Sequence, residues 1–222
     1  MDKFATTAFL ALDVSTSCTG VAAVDAAGVL LGTLFHKPKA ATKKNPELAH
    51  FLVKADGLRQ LLQPFAECPV QAVWIEEPLS NSPSRQTVNI LIRYNAVVSL
   101  FCWQLFGSLP NHLSVYDWRR QLCPEFLKVK KGKAGPEQGG SAYTWQMSPG
   151  VDPKEYVLAK VVRWHPHFVP ALNPDGGQRP ETLDMSDAVG VGTAGLLQRG
   201  VLSWEELRLR LAPPRLQRGT KE

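Results

Sequence analysis

The sequence predicts an α/β domain: a mixed five-stranded sheet, three antiparallel strands and then two parallel ones, flanked by helices. Three observations predict it. The apolar run Phe9-Leu10-Ala11-Leu12 ends in Asp13, a turn of small residues (Ser15-Thr16-Ser17-Cys18-Thr19-Gly20) follows, and a second apolar run begins at once, which reads as a β-hairpin. From residue 71 onward, short apolar segments alternate with helical patterns, the signature of parallel strands covered by helices. Acidic residues recur at the edges of apolar segments, at Asp13, at Glu76-Glu77 and at Asp184 and Asp187.

The opening strands are expected over 8–13, 21–25 and 29–36, the last two joined by an Ala-Ala-Gly turn. Asn45-Pro46 starts a helix, with Asn as cap and Pro in the first helical position, and Leu48, Leu52, Ala55, Leu62 and Phe65 form its apolar stripe. The segment 71–76 is apolar until its carboxylates, as a strand covered on both faces should be. Residues 82–106 read as a long helix, apolar in its second half, with an aromatic end (Phe101, Trp103, Phe106) assigned to the core. A fifth strand is expected over 113–116, running into a short capped turn at Asp117-Trp118-Arg119-Arg120. The segment 128–150 lacks periodicity and reads as a basic Gly/Pro loop insertion. Asp152-Pro153-Lys154-Glu155 is a helix start, and that helix ends at His165-Pro166. A last long helix carries Asp184 and Asp187, and Ser203-Trp204-Glu205-Glu206 caps a short terminal one.

Composition sets the class. At 222 residues, 44% hydrophobic and 20% charged, the chain is a single ordinary globular domain spanning 1–222, with a basic tail at 212–222. No uninterrupted apolar run approaches the roughly 20 residues of a membrane span, and Met1-Asp2-Lys3-Phe4 is too mixed to begin a secretion signal. Cys18, Cys68, Cys102 and Cys123 show no metal-finger spacing and are expected as reduced thiols in a cytoplasmic protein. The net charge of +5 is unevenly spread: Arg119, Arg120, Lys128, Lys130, Lys131 and Lys133 stand against Glu125 alone. Such a cluster fits a polyanion, and Arg85, at the start of its helix, adds to it; Arg208, Arg210, Arg215, Arg218 and Lys221 toward the C-terminus add more basic charge and also read as a solvated end.

Residues three apart on a helix share a face, so Asp184 and Asp187 point the same way. Ala188, Gly192, Ala194 and Gly195 would let that helix lie close on the sheet and bring both carboxylates beside Asp13 and Glu76. Singly, each acid also reads as a turn, cap or solvated residue. Together, four carboxylates repel unless cations neutralise them, and a set poor in thiol and imidazole suits Mg²⁺ or Mn²⁺. Two such ions about 3.5–4 Å apart serve in-line phosphodiester displacement.

The order βββαβαβαα, with Asp13 on the first strand, Glu76 ending the fourth and Asp184-x-x-Asp187 on the last long helix, resembles the RNase H-like superfamily, and within it the RuvC-type Holliday-junction resolvases. The resemblance spans roughly 9–198 and rests on those acidic motifs. It implies metal-dependent cleavage of branched DNA, with Asp13, Glu76, Asp184 and Asp187 as catalytic ligands of two Mg²⁺ or Mn²⁺ ions. It also implies Lys154 near the scissile phosphate and a homodimer that nicks a four-way junction twice; the apolar helix 88–106, richer than one face of a single domain requires, is the candidate for the two-fold axis, with burial inside one monomer as the other reading. Glu77 occupies a position usually neutral in that family. Leu79 stands where bacterial relatives often carry an aromatic, Ser15-Thr16-Ser17 replaces a Pro-Gly type of turn, and segment 128–150 is longer. These departures fit a divergent member, such as a viral or organellar one, working in the nucleoid, a host cytoplasm or an organelle.

Two other readings stand beside it. The 13–20 hairpin also resembles the first phosphate-binding hairpin of actin-like ATPases and sugar kinases, although no second such hairpin or glycine-rich adenosine motif is visible. A catalytically inactive RNase H-like binding module is the other, against which the four intact acidic positions speak. His165-Pro166-His167 reads as an exposed helix terminus or as a metal pair.

Overall fold

The structure is a computed structural model that describes residues 4–38, 47–78, 85–129, 143–145 and 150–211. Strands β1 (Phe9–Val14), β2 (Thr19–Val24) and β3 (Leu30–His36) form an antiparallel meander. Strands β4 (Ala72–Glu76) and β5 (Asn111–Leu113) add parallel to β1, giving the order β3-β2-β1-β4-β5. Around this sheet lie helices α1 (Glu47–Leu62), α2 (Arg85–Phe106), α3 (Val115–Leu122), α4 (Pro153–Trp164), α5 (Glu181–Gln198) and α6 (Trp204–Leu211). The expected mixed sheet is therefore present in full.

Period-two alternation divides the sheet between two cores. Leu10, Leu12, Val21, Ala23, Val73 and Ile75 face one way and pack with residues of α1 and α2. Phe9, Ala11, Ala22, Val24, Ala72 and Trp74 face the other, against α3, α4 and α5. Asp13 and Glu76 continue the second set, so both strand ends turn their carboxylates toward α5.

Helix α5 sits unusually close to the sheet because glycines remove the Cβ atoms in the way. A Cβ on Gly192 would stand 3.0 Å from that of Ala11, and one on Gly195 would stand 2.2 Å from the Trp74 ring. From the sheet side, a Cβ on Gly20 would lie 2.1 Å from the Asp184 carbonyl oxygen.

Three local expectations change. The fifth strand ends at Leu113, and Val115 and Tyr116 belong to α3. Ser114 caps that helix, its Oγ accepting from the Asp117 N–H at 3.1 Å and donating to Asp117 Oδ2 at 2.6 Å. The apolar spacing Val115, Trp118, Leu122 is helical, and a four-residue window at 113–116 is too short to show it. Second, the ends of the expected 128–150 loop pair as an antiparallel hairpin of β6 (Leu127–Val129) and β7 (Tyr143–Trp145). Both are three-residue stretches containing β-branched or aromatic residues, below the length at which alternation can be read. Third, His165 is buried with Nε2 3.3 Å from Thr193 Oγ1, whereas His167 is exposed, so they do not form an exposed pair.

By length and composition α2 is apolar enough to cross a membrane. In this fold its Tyr94, Asn95, Val98 and Cys102 are buried against the sheet layer. The Asn95 side-chain amide donates to the Glu76 carbonyl at 3.0 Å, which joins the helix to the end of β4. The Asn45-Pro46 helix start, Leu79, Lys130, Lys131, Lys133 and the 212–222 tail lie outside the described residues, and Lys128 is placed only by its backbone in β6.

Candidate metal centre and its neighbours

Strands β1 and β4 run parallel with Leu12 opposite Ile75, so Asp13 and Glu76 are the next residues at the same carboxyl edge. Beside Asp13, across the hairpin, is Gly20, and the first turns of α5 lie directly on it. That contact brings Asp184 and Asp187 over the strand ends. Four carboxylates from β1, β4 and α5 thus share one edge of the sheet, where open α/β sheets place their ligands.

Their electrostatics follow from burial and mutual repulsion. Asp13 is buried, and its carboxyl is raised well above the usual range by desolvation and then by the charges of Glu76, Asp187 and Asp184. Glu76 is pushed up to about 7 by burial and Asp187, against the opposing pull of Arg119, Trp118 and Lys154. Asp187 rises to about 6 through burial and Asp184, held back by Arg119 and Lys154. Asp13, Glu76 and Asp187 therefore hold their protons more tightly than free acids do.

The cations beside them are Lys154 and Arg119. Lys154 Nζ donates to Asp184 Oδ1 at 2.6 Å and lies 3.7 Å from Asp187 Oδ2. Burial alone would lower its pKa, but the hydrogen bond to Asp184 and the charges of Asp187, Asp13 and Asp184 hold it well above the ordinary lysine range. Arg119 reaches Asp187 Oδ2 at 3.3 Å with only 15% of its side chain exposed, so this arginine faces inward. Trp118 Nε1–H donates to Glu76 Oε2 at 2.7 Å.

The donor set fits a hard divalent cation. All four groups offer oxygen, and the nearby Cys18 thiol is kept protonated by burial and by Asp184. Asp187 Oδ1 is buried without a hydrogen-bond partner, an arrangement that costs stability unless a cation or donor arrives. As the side chains stand, no three acidic, histidine or cysteine groups among the described residues meet at ion-binding distance. Lys154 and Arg119 draw oxygens of Asp184 and Asp187 to themselves, so holding ions there requires these two carboxylates to rotate.

Of the adjacent glutamates, Glu76 turns into this group and Glu77 is exposed. Arg85 is exposed at the start of α2, and Arg120 is half-exposed and paired with Asp117 at 3.3 Å. Trp118 and Asn95 escape a sequence reading. An indole or an amide in an apolar helix stripe looks like core, and only tertiary contact reveals what its N–H touches.

One further ionic group borders the site. Glu181, in the first turn of α5, is buried between Lys37 at 2.5 Å and Arg179 at 3.2 and 3.3 Å. Hydrogen bonds from Arg179 and then Lys37 pull its carboxyl down to about 2 from an ordinary 4.5. A depressed folded-state value means stability that is present above the unfolded pKa and lost as pH falls through the folded one. Glu181→Gln should therefore lower neutral-pH stability by about 1–2 kcal/mol, reduced because Lys37 and Arg179 are partly solvated. The gap between variant and wild type should close between pH 4.5 and about 2, read from thermal melts across that window. Melting curves offset equally at every pH would reject the clamp.

No protein-family model matches the chain, and no curated protein matches it in sequence. Solved structures do match in shape. The T. thermophilus RuvC in complex with a Holliday junction substrate superposes with a TM-score of 0.55 at 12% identity, over 87% of this chain and 94% of that one. A second Thermus thermophilus RuvC structure gives 0.50 at 14% identity, over 86% and 95%. Sheet order, flanking helices and this near-complete mutual coverage agree: the chain has the RNase H-like fold, in the form found in RuvC.

Proposed function

We propose that this protein is a metal-dependent endodeoxyribonuclease that cuts branched DNA and resolves four-way junctions by paired nicks. The observation that carries the reading is the gathering of Asp13, Glu76, Asp184 and Asp187 at one edge of a RuvC-like sheet, with Asp187 Oδ1 buried and unpartnered. That a RuvC of this fold is seen with a Holliday junction supports the substrate class.

Asp13, Glu76, Asp184 and Asp187 would hold Mg²⁺ or Mn²⁺, which when bound activates water and stabilises the leaving oxygen of a phosphodiester. Lys154 has a different task. Its firmly protonated ammonium cannot serve as a base, but with 40% of its side chain exposed it can turn from Asp184 to an arriving phosphate. There it would stabilise charge that grows on the phosphoryl oxygens. Arg85, Arg120 and the lysines Lys128, Lys130, Lys131 and Lys133 would act as backbone phosphate contacts, each adding about one unit to the salt slope. Arg119, engaged with Asp187, would contribute from within the site.

Incubating labelled four-way, flapped and linear DNA with the protein, with and without Mg²⁺ or Mn²⁺, tests the proposal. Symmetric cuts in the four-way junction only with metal are expected; failure to cut any branched DNA with either ion would reject it. Lys154→Ala should lower the single-turnover rate by about 10²–10³-fold while changing affinity much less. If only the binding constant moves, Lys154 is one more phosphate contact.

Paired nicks call for two active sites, and α2 offers a surface for pairing. Ile92, Leu100 and Trp103 are 52%, 45% and 50% exposed, and with Ala96 they follow one helical stripe. A second copy packed on this stripe within 88–106 would place two sites on one junction. Light scattering at micromolar concentration should then report about twice the 24.5 kDa chain mass. A monomer both free and on junction DNA would reject paired cutting by one assembly.

A further inference from the structure

Helix α3 lies against the carboxylate edge, and its residue Trp118 is wholly buried. A buried indole N–H needs an acceptor, and in most cores a backbone carbonyl would serve. Here the acceptor is Glu76 Oε2 at 2.7 Å, an acidic side chain 42 residues earlier in the chain. The ring has little freedom to turn away. Gly190 of α5 packs on it so closely that a Cβ there would stand 2.8 Å from Trp118 Cζ3, and Leu122 lies against the same glycine. The Arg119 guanidinium sits 4.9 Å from the ring centroid while reaching Asp187. The indole, the β4 end and α5 are thereby locked in one arrangement. One oxygen of Glu76 is held, and among the described residues its other oxygen takes no hydrogen bond.

We infer that Trp118 is a positioning residue for the metal centre: its indole N–H fixes the Glu76 carboxylate so that the second oxygen faces the ions. The inference rests on the nuclease reading above. It has a chemical precedent in general terms, because donors that orient ligating side chains commonly change metal affinity about 10–100-fold when removed. Asn95 secures the same strand end through the Glu76 backbone carbonyl, so the side chain is left for Trp118 to orient.

Trp118→Phe keeps the ring and removes the donor. Titration of Mn²⁺ followed by the paramagnetic resonance of the free ion, without DNA, should show binding about 10–100-fold weaker than in the wild type. The Mn²⁺ concentration that half-saturates cleavage should rise by the same factor, and excess Mn²⁺ should restore the rate. Unchanged Mn²⁺ affinity in a folded variant would overturn the inference. So would a slower rate that excess metal cannot rescue, since that is the mark of a merely structural role. If the wild type itself binds no Mn²⁺, the nuclease reading fails first, and that result is distinct from equal binding by both proteins. Should the variant not fold, indole ¹⁵N resonances of the six tryptophans provide the second measurement. The Trp118 signal should shift in Glu76→Gln and on adding Mg²⁺ to the wild type; a signal indifferent to both would overturn the assignment.

Discussion

Asp13→Asn should reduce junction cleavage by about 10²–10³-fold or more while leaving DNA affinity equal or higher. The asparagine keeps the shape of the side chain but cannot supply the negative charge on which a cation site depends, and loss of one preorganised electrostatic group of this kind costs about that much. Affinity holds because a negative charge beside the DNA phosphate is removed. The same substitution should stabilise the metal-free protein. Asp13 is buried, and its carboxyl is raised by desolvation and then by repulsion from Glu76 and Asp187, so the fold disfavours its charged form, a cost that asparagine does not carry. Relief of about 1–2 kcal/mol corresponds to a melting temperature higher by about 2–8 °C. Single-turnover assays and metal-free thermal melts read the two effects. Normal turnover would remove Asp13 from the site; a lower metal-free melting temperature would show that its charge is already compensated without an ion.

Gly20→Ala should be the most damaging single-methyl change in the sheet. The new Cβ would stand 2.1 Å from the Asp184 carbonyl oxygen, 2.5 Å from its carbon and 2.9 Å from the Met185 nitrogen. All three are backbone atoms of α5, so no rotamer relieves the clash and the helix itself must retreat. Overpacking of this sort costs about 1–3 kcal/mol, or roughly 2–4 °C of melting temperature for each kcal/mol. The retreat also carries Asp184 and Asp187 away from Asp13 and Glu76, and a displacement of about 1 Å in a catalytic group can cost about 10²-fold in rate. Cleavage should therefore fall well below what loss of folded protein explains at 25 °C. A variant with wild-type rate and stability would mean that α5 does not rest on Gly20. Gly107 provides the contrast: it has positive φ but nothing within 4 Å, so backbone strain without a steric clash is all that substitution there would bring.

Local patterning is enough for the strand order and for the carriers of the acidic residues. Apolar runs ending in Asp13 and Glu76, and a small-residue helix opening with Asp184 and Asp187, are local patterns. Strand and helix periodicity state which face each side chain takes, whatever the rest of the chain does. The sequence also placed Asp152 correctly as the cap of α4, whose side chain accepts from the Lys154 and Glu155 N–H groups at 2.8 and 3.2 Å. The bounds of β5 and the existence of β6 and β7 escaped it. The three-residue strands β5, β6 and β7 offer too few side chains for periodicity, and Ser114 was readable as a cap only once the strand before it was known to stop. The sequence left Glu76 and Glu77 undivided as well; pairing of β4 between β1 and β5 turned the first toward α5 and the second to solvent.

Which group answers each acidic side chain is set by long-range packing alone. Trp118 meets Glu76 across 42 residues, Arg119 meets Asp187 across 68, and Lys154 meets Asp184 across 30. Nothing in the local sequence distinguishes Arg119 from its neighbour Arg120, yet one faces inward at 15% exposure and the other outward at 46%. The physical reason is that a buried carboxylate in a low-dielectric edge takes whichever donor the packing of distant elements delivers. Glycines at 20, 190 and 195 set that packing by letting α5 approach the sheet and α3, and its close approach decides which donors arrive.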